Sequence, residues 1–353
     1  MTGTREALLA IDGGNSKTDL VLLSLGGELL ASARSGPFQP QIVGTASAVA
    51  SFAPAVARIL STSANPTLLQ VSAYLANADL PVETAAIHKA ISHRGWTDHV
   101  TVENDTFAVL RAGSDRGYGV AVVCGAGINC VGISPSGKHL RFPALGKLTG
   151  DWGGGLGLAE EAMWWAVRAE DGRGPATLLS EGIAAHFRTP TAVGVATSLH
   201  LGAIDSARLQ EVVPLLFASA TRGDAISVAI VKRQAEEIVA LVSTTMHRLN
   251  LESTETDLVL GGGILASNDP VLMQPLTSLL AEAAPSAAVR LLRDPPVVGA
   301  ALLGLEQLWK ARPHLTPTDC AQTLRALREA ILQNRIDATY AAAGADHHEE
   351  VRQ

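Results

Sequence analysis

The chain opens with three short apolar runs that are separated by tight turns. The runs cover Ala7–Ile11, Asp19–Leu25 and Glu28–Ser32, and a glycine pair separates the second from the third. Runs of this length, bounded by turn residues, are typical of β-strands. The segment between the first two runs, Asp12–Thr18, is polar and contains two glycines. The pattern predicts strand, glycine-containing turn, strand, tight turn and strand.

The same pattern returns in the second third of the chain. Val120–Cys124 is an apolar run, "GAGIN" is a glycine-rich turn, and Cys130–Ser134 is a second run that ends at the turn Pro135–Gly137. The two copies lie about 110 residues apart, which is too long for a solenoid repeat. We interpret them as a duplicated domain, with Gly113–Gly117 as a candidate hinge between the copies.

Each copy continues into a mixture of predicted strands and helices. In the first half, strands at Thr67–Ala76 and His99–Glu103 flank a helical pattern at Val82–Arg94. In the second half, helices are predicted at Leu156–Ala169 and Ser227–Leu249 and strands at Asp257–Leu260 and Arg290–Arg293. Two further helices are predicted at Val297–Lys310 and Cys320–Gln333. The end of the chain has the composition of a disordered tail. The order of elements predicts an α/β protein.

Composition narrows the classes of function. Of the 353 residues, 47% are hydrophobic and 17% are charged, which is enough apolar material for a sizeable core. The net charge of −7 argues against a protein that coats nucleic acid. Cys124, Cys130 and Cys320 are too few and too scattered for a disulfide framework. Neither a signal peptide nor a membrane-spanning apolar stretch is visible, so a cytoplasmic protein without a membrane partner is expected.

Three glycine-rich turns follow predicted strands and are candidates for anion binding. They contain the pair Gly13 and Gly14, the segment Gly125–Gly127 and the segment Gly261–Gly263. Glycine can adopt a positive φ, and successive bare N–H groups can form a concavity for an anion. Asp12 would need a cation such as Mg²⁺ between its carboxylate and a phosphate. The alternative is that each turn only closes a hairpin, and the recurrence of the turn favours a phosphate site.

Other common motifs fit the sequence poorly. The P-loop pattern G-x-x-x-x-G-K-[ST] does not occur. The dinucleotide pattern G-x-G-x-x-A occurs once, at Gly261–Ala266, but its acidic partner about 20 residues on would be near Glu282, inside a predicted helix. A dehydrogenase is therefore disfavoured. The ten histidines show no H-E-x-x-H spacing, so no zinc site is expected.

The segment Ile11–Asp19, "IDGGNSKTD", resembles the first phosphate loop of the acetate kinase–sugar kinase–Hsp70–actin superfamily. Within it, the sequence is most similar to the N-acetylglucosamine kinase and BadF/BadG/BcrA/BcrD-type ATPase family, over residues 7–310. Six further segments resemble motifs of the family in the family's order. They are the sugar-side loop (Ser35–Gly44), the N-D-x-x-x-x-L-x-A-G motif (Glu103–Gly113), the second phosphate loop (Cys124–Cys130), the G-D-E-G-S loop (Leu148–Ala162), the adenosine motif (Leu258–Ile264) and the connecting helix (Pro295–Leu305).

This resemblance implies an architecture and a reaction. The fold would be a two-lobed actin-like ATPase of the ribonuclease H-like type, with duplicated βββαβα lobes around a nucleotide cleft. The N-terminal lobe would cover residues 1–115, the C-terminal lobe 116–312, and a C-terminal helix with a disordered tail 313–353. ATP and Mg²⁺ would lie between the turns Asp12–Thr18 and Gly125–Asn129, and the γ-phosphoryl group would pass to a sugar hydroxyl.

Roles for individual residues follow from the same resemblance. Asp105 is the expected catalytic base, with an N-cap of the following helix as the alternative, and Asp12 is the expected Mg²⁺ contact through water. The residues implied in nucleotide binding are Asp12, Gly13, Gly14, Ser16, Lys17, Gly125, Ala126, Gly127, Asn129, Gly261, Gly262 and Gly263. Those implied in sugar binding are Gln39, Asn104, Asp105 and Asp151. Lys17 could equally be an exposed loop lysine, and Asp151 a solvated turn residue.

The sequence departs from the family pattern on the acceptor side. Ala126 and Ile128 stand where the second phosphate loop usually has Thr and Ser. Trp152 and Gly154 replace the Glu and Ser of G-D-E-G-S, and Gln39 replaces an Asn of the sugar-side loop. The expected acceptor is the primary 6-hydroxyl of an amino sugar such as N-acetylglucosamine or glucosamine, with glucose or a cyclitol as competitor. An ATPase that acts on a partner protein, a sugar sensor, and assembly as a homodimer remain alternatives at this point.

Overall fold

The computed structural model describes residues 6–334, which form two α/β units. Of these residues, unit 1 contains 6–115 and 292–334, and unit 2 contains 116–291. The part of the expected tail beyond residue 334 lies outside the described residues.

The elements are numbered along the chain. The strands are β1 (Glu6–Gly13), β2 (Thr18–Ser24), β3 (Leu29–Ser35), β4 (Thr67–Leu75), β5 (Val100–Asn104), β6 (Gly119–Cys124), β7 (Ile128–Ile133), β8 (His139–Arg141), β9 (Thr256–Gly261) and β10 (Ala287–Leu291). The α-helices are α1 (Pro40–Val43), α2 (Thr45–Thr62), α3 (Pro81–Ser92), α4 (Asp105–Gly113), α5 (Gly154–Glu170), α6 (Leu179–His186), α7 (Ala192–His200), α8 (Val212–Thr221), α9 (Ala225–Arg248), α10 (Gly263–Ala266), α11 (Pro270–Ala283) and α12 (Pro296–Ala311). Residues 320–334 are also helical, and short 3₁₀ helices lie at Gly146–Leu148, Ser206–Glu211 and Pro313–Leu315.

Each sheet joins an antiparallel meander to two parallel strands. In unit 1 the strand order is β3-β2-β1-β4-β5, with β1, β4 and β5 parallel to one another. In unit 2 the order is β10-β9-β6-β7-β8, with β6, β9 and β10 parallel. The two sheets share one plan, which confirms the predicted α/β class and the predicted duplication of the three-strand pattern.

Both faces of the unit 1 sheet are covered, so its central strands are apolar at successive positions. On β1, Leu9 and Ile11 join a core cluster with α2 and α3. Leu8 and Ala10 face the other way and join a cluster with α4, α12 and the helical segment 320–334. All four side chains are fully buried. Burying one large aliphatic side chain stabilises a fold by about 1.5–3 kcal/mol, so both helical layers hold the sheet.

The helix α12 belongs to unit 1 although it follows unit 2 in the chain. Gly299 lies so close to α4 that a Cβ at this position would collide with the carbonyl oxygen of Ala108. Trp309 donates its indole N–H to the carbonyl oxygen of Leu25 at 3.0 Å. The C-terminal lobe expected from the sequence, residues 116–312, therefore differs from unit 2, which ends at residue 291, because the apolar face of α12 is buried on the first sheet.

The unit 2 sheet packs against the long helix α9. A Cβ on Gly132 of β7 would collide with the side chains of Thr245 and Leu249, so the strand and the helix touch through a glycine. Among residues 6–334, no single helix is long and apolar enough to cross a bilayer. The segments Ser206–Thr221 and Ala225–Arg248 reach that length and composition only as a pair bent by 110°.

Candidate active site

The carboxyl ends of three parallel strands meet at one edge of the unit 1 sheet. β1 ends at Gly13, β4 at Leu75 and β5 at Asn104, and α4 begins at Asp105. The register pairs Gly13 with Leu75 and Leu75 with Asn104. Open α/β sheets bind ligands at this edge. The structure therefore brings the predicted base Asp105 and the predicted first phosphate turn to the same edge of one sheet.

The turn after β1 is held by backbone hydrogen bonds. The N–H of Gly14 donates to the carbonyl of Lys17 at 2.8 Å, and the N–H of Phe38 donates to the carbonyl of Gly14 at 2.9 Å. A Cβ on Gly13 would lie 2.5 Å from the side chain of Leu75. Neither glycine has a positive φ. The close approach of β4, and not an unusual backbone conformation, therefore explains the glycine at position 13.

A row of polar and charged residues crosses the sheet beside this turn. The register places them opposite one another, one on each strand, in the order Arg34, Asp19, Asp12, Tyr74 and Glu103. Asp12 and Asp19 are only 7% and 6% exposed. Like charges that face each other across strands destabilise a sheet. A compensating positive charge is therefore needed beside these carboxylates.

Part of that compensation comes from the protein itself. Arg34 donates to both carboxylate oxygens of Asp19 at 2.6 and 3.1 Å, and the Lys17 ammonium lies 3.5 Å from the same carboxylate. The hydrogen bond to Asp19 raises the pKa of Arg34 above its ordinary value. Lys17 remains 43% exposed, and Ser16 is exposed on the turn. Both side chains can therefore reach a ligand above the turn.

Asp12 fits the Mg²⁺ contact implied by the sequence. It offers carboxylate oxygens, which are the ligands that Mg²⁺ prefers, at the end of a buried strand. Its neighbour across the strands, Asp19, adds negative charge to the same place. Within the described residues no group of three or more His, Cys, Asp or Glu side chains forms an all-protein metal cage. A cation here would thus complete its shell with water and phosphate oxygens, as Mg²⁺ commonly does.

The sugar-side loop is fastened to the first turn by side-chain amides. Gln39 donates to the carbonyl of Asn15 at 3.0 Å. Asn77, just after β4, donates to the side chain of Asn15 at 2.9 Å and to the carbonyl of Phe38 at 3.0 Å. Asn77 has a φ of +64°, a conformation that asparagine tolerates better than most residues. The predicted residue Gln39 therefore lies at this edge, together with Asn15 and Asn77, which the sequence analysis missed.

The start of α4 is organised by Asn104. Its side-chain oxygen accepts the N–H of Thr106 at 3.1 Å, so Asn104 is the N-cap and Asp105 is the first helical residue. The alternative interpretation of Asp105 as an N-cap is therefore wrong. Asn104 is fully buried and donates to Asp79 at 2.9 Å. Asp79 was also missed, and the stretch "NADLP" between a strand and a helix was the available signal.

The second glycine turn is pressed against the start of α5 in unit 2. The N–H of Gly155 donates to the carbonyl of Gly125 at 2.7 Å, and the N–H of Leu156 donates to that of Ala126 at 2.9 Å. Gly154 has a φ of +70°, and a Cβ there would collide with the backbone of Gly127. The glycine that stands in place of a serine at position 154 is therefore required by this close approach.

The third glycine segment lies beside the second. β9 ends at Gly261, which pairs with Val123 of β6, so the two parallel strands end together. Gly262 has a φ of +90°, and a Cβ on it would collide with the backbone of Cys124. Asn129 does not lie in the turn as expected, because β7 already begins at Ile128. The predicted residues Gly125, Ala126, Gly127, Gly261, Gly262 and Gly263 thus share one edge of the unit 2 sheet.

Asp151 lies near this edge in the segment that leads into α5. Its carboxylate accepts the hydroxyl of Thr149 in a short hydrogen bond, and its N–H donates to the carbonyl of Gly146 at 3.0 Å. Both Asp151 and Thr149 line a small cavity of about 190 Å³ with the buried Trp152 and with Glu237 of α9. Asp151 is therefore half-buried and lines a defined pocket of unit 2.

Known proteins with similar sequences are sugar kinases. The N-acetylmuramic acid/N-acetylglucosamine kinase of Clostridium acetobutylicum is 23% identical over 73% of this chain and 85% of its own length. The N-acetyl-D-glucosamine kinase of Dictyostelium discoideum is 24% identical over 86% of this chain and 98% of its own length.

Solved structures share the fold. A protein of Chromobacterium violaceum, described as a candidate N-acetylglucosamine kinase, superposes with a TM-score of 0.66 at 20% identity, over 85% of this chain and 99% of its own. A ROK family glucokinase of Streptomyces griseus, solved with glucose and AMPPNP, gives 0.53 at 17% identity over 85% and 99%. This likeness confirms the expected actin-like ATPase fold. The family model of the BadF/BadG/BcrA/BcrD ATPases matches residues 9–304, and the chain belongs to that family.

Proposed function

We propose that the protein is an ATP-dependent sugar kinase that phosphorylates the primary 6-hydroxyl of an amino sugar such as N-acetylglucosamine or glucosamine. The observation that carries the proposal is the position of Asp105 beside the Gly13–Lys17 turn at the carboxyl edge of the unit 1 sheet. The names of the relatives in Clostridium acetobutylicum and Dictyostelium discoideum support the same substrate class.

Asp105 acts as the general base in this proposal. Phosphoryl transfer passes through a loose transition state, so the acceptor hydroxyl becomes acidic late and needs orientation more than early deprotonation. A half-buried carboxylate on the first turn of α4 can accept that hydrogen bond and then the proton. Asn104 keeps the helix start in place and thereby orients the carboxylate.

The first turn binds the phosphate groups. The hydroxyl of Ser16 and the ammonium of Lys17 belong to the turn that follows Gly13 at the end of β1, and these groups supply donors and positive charge to the β- and γ-phosphates. Mg²⁺ bound near Asp12 through water would neutralise charge on the phosphate oxygens. Asp12 would hold the hydrated ion, and Asp19, its partner in the strand register, would add to the negative charge that favours a cation there.

The glycine edge of unit 2 is, taken by itself, a second candidate surface for a nucleotide. Gly125–Gly127 supplies backbone N–H groups to phosphate, and Gly261–Gly263 offers a surface without side chains to the adenosine. Cβ atoms added to Gly125, Gly127 or Gly263 would meet nothing within 4 Å, so a ligand can approach the backbone there. Asp151, in its half-enclosed pocket, is the proposed acceptor contact of this unit.

A coupled assay of ADP formation tests the proposal. The protein is incubated with Mg-ATP and, separately, with N-acetylglucosamine, glucosamine, glucose and a cyclitol. We expect sugar-dependent ADP release that is fastest with an amino sugar. Release of ADP at the same rate without any sugar would favour an ATPase that serves a partner protein, and would overturn the kinase.

The variant Asp105→Asn tests the role of the base. We expect kcat to fall at least about 100-fold, the usual scale for losing a general base, while ATP binding is retained. The variant Asp319→Asn removes an exposed carboxylate of the same unit and should leave kcat unchanged. Near-normal turnover of the Asp105→Asn protein would remove Asp105 from this role.

A further inference from the structure

Unit 1 contains a pocket at the end of its sheet that is opposite to Asp105. The cavity has a volume of about 390 Å³ and lies beside the first residues of β4 and β5 and the last turn of α12. Its polar lining consists of Gln70, Asp98, His99, Thr101, Gln307 and Arg312. The parallel strands begin at this edge and end at the catalytic edge, so the cavity is a separate site on the same unit.

The cavity contains a hydrogen-bond acceptor, the amide oxygen of Gln70, that no group of the described residues satisfies. Gln70 is only 8% exposed, and its amide N–H₂ donates to the hydroxyl of Ser72 at 2.8 Å, with longer contacts to Gly304 and Gln307. The amide oxygen of Gln70 accepts no hydrogen bond from any part of the chain between residues 6 and 334. This oxygen therefore faces solvent in the cavity and can accept a hydrogen bond from a ligand.

The rim of the cavity carries charged groups that also lack partners. Arg312 is half-buried at the end of α12, and its guanidinium forms no ion pair or hydrogen bond within the described part of the chain. The side chains of Asp98, His99 and Thr101 likewise have no partner there. Arg312 and Asp98 line the same cavity but lie more than 4.0 Å apart, since they form no salt bridge. The pocket thus presents separated donors and acceptors to a ligand.

We propose that this cavity binds a phosphorylated monosaccharide. Arg312 matches a phosphate group, which guanidinium groups bind with two parallel hydrogen bonds. The amide oxygen of Gln70 and the carboxylate of Asp98 accept hydrogen bonds, as sugar hydroxyl or amino groups require, and Thr101 can donate or accept. The volume suits a ligand at the small end of the usual range for binding pockets. The choice of sugar rests on the proposed kinase function, whose product is such a compound.

Two hydrogen bonds connect the side chain of Gln70, through that of the half-buried Gln307, to the hydroxyl of Tyr74. Gln70 donates to Gln307 at 3.3 Å, and Gln307 donates to the hydroxyl of Tyr74 at 3.1 Å. Tyr74 is 1% exposed and faces Asp12 in the register of the sheet. The hydrogen bonds that start at Gln70 therefore lead to a residue that faces Asp12 in the sheet.

Titration calorimetry without nucleotide tests the proposal. N-acetylglucosamine 6-phosphate is titrated into the protein in the presence of saturating N-acetylglucosamine, which fills the acceptor position of the catalytic site. We expect one sugar phosphate to bind, and its Kd to rise at least about tenfold in Arg312→Gln, the scale of one hydrogen-bonded charge. Arg58→Gln removes the same charge from an exposed position on α2 and should leave Kd unchanged.

A further variant and a control ligand test the proposal independently. Thr101→Val, which preserves side-chain shape, should weaken binding by a smaller factor than Arg312→Gln. Equal affinity for inorganic phosphate would overturn the assignment to a sugar phosphate. The same Kd in Arg312→Gln and Arg58→Gln, or no binding at all, would overturn the site. The titration requires no turnover, so an Arg312-dependent signal stands even if the ADP assay shows that the chain is not a kinase.

Discussion

The side-chain amide of Asn104 forms hydrogen bonds through both its oxygen and its nitrogen at the catalytic edge. Its oxygen caps α4, and its nitrogen donates to Asp79 in the β4–α3 loop. That loop is itself fixed, because Glu83 accepts the N–H groups of Asp79 and Leu80 at 3.1 and 2.9 Å. The direction of the first turn of α4, and with it Asp105, therefore depends on a carboxylate that lies outside the helix.

We therefore expect Asp79→Ala to lower kcat by about tenfold with little change in the KM for ATP, because a displaced base misaligns the acceptor hydroxyl. Asn104→Ala should have a similar effect. The double variant should be hardly worse than Asn104→Ala alone, since that substitution already removes the contact with Asp79. A double-mutant cycle on kcat measures this coupling. Independent, additive losses would show that Asp79 acts on stability alone.

The cysteines give a second test at the residue scale. Burial raises the pKa of both the Cys124 and the Cys130 thiol to about 12, although hydrogen bonds with Gly154 and Thr245 lower it in part. Only the thiolate is nucleophilic, so both groups should be inert in the folded protein at pH 8. Cys320 is half-buried. Iodoacetamide should modify Cys320 in the native protein and all three cysteines in urea, as read by mass spectrometry.

The matched control is Cys320→Ser, which should take up no label before unfolding. Native labelling of Cys124 would show that the β6–β7 turn opens, and would contradict the close packing of Gly154 on Gly127.

At the residue scale, the sequence was most informative where local chemistry decides the role. Asp12 directly follows a predicted strand and Asp105 follows one after Asn104, so the pattern placed both at a strand end, whereas their roles came from the family resemblance. Asn77 and Asp79 could not, because their partners are far away in sequence and the contacts exist only after folding. Asn129 was placed in a turn because the strand β7 starts earlier than its apolar pattern suggested.

Among elements, strands were easier to predict than helices. The strands of both sheets were recognised within a few residues, since apolar runs between turns identify them. The helices α1, α2, α6, α7 and α8 were not predicted. In α2, Pro54 interrupts the sequence pattern, and alanine and serine obscure the buried stripe that contains Val49, Phe52 and Val56. Packing of the helix on the sheet stabilises it despite a weak helical pattern, and the local sequence contains no information about that packing.

The contact between α4 and α12 gives a prediction at the element scale. Gly299→Ala would push a methyl group into the carbonyl of Ala108, so we expect the free energy of unfolding to fall by about 1–3 kcal/mol. Gly182→Ala is the control. It lies within α6, has open space around its Cα, and should raise stability by about 0.5–1 kcal/mol.

Urea unfolding followed by circular dichroism measures both variants under the same conditions. If Gly299→Ala proved as stable as the wild type, the helices α4 and α12 would not be packed as closely as the structure has them.

For the molecule as a whole, the chain leaves unit 1 after Asp115 and returns to it at Leu292. The sequence suggested a later boundary, at residue 312, because element order along the chain does not reveal which sheet a helix covers. The fold therefore inserts unit 2 into unit 1. Each unit has its own core clusters, so the two can be tested separately.

Two arginines of unit 1 link the position where the chain leaves this unit to the position where it returns. Arg328 donates to Asp115 at 3.2 Å and to Asp294 at 3.1 Å. Arg111, which is 8% exposed, donates to Asp115 at 3.0 Å and to Glu306 at 2.9 Å. Burial alone would lower the pKa of Arg111, but the hydrogen bonds to these two carboxylates raise it above its ordinary value. The positions where the chain leaves and re-enters unit 1 are therefore close together.

This closeness predicts that unit 1 folds without unit 2. Residues 116–291 are replaced by a Gly/Ser linker of about six residues, which spans up to about 20 Å. We expect cooperative thermal unfolding and resistance to trypsin, because α12 still covers Leu8, Ala10 and Tyr74. The fragment 1–115 lacks that helix, leaves this face of the sheet open to water, and should bind the dye ANS and be digested quickly. If the linked protein bound ANS and were digested as quickly as the short fragment, unit 1 would depend on unit 2 for its fold. The packing of α12 on the first sheet would then not be sufficient to stabilise unit 1.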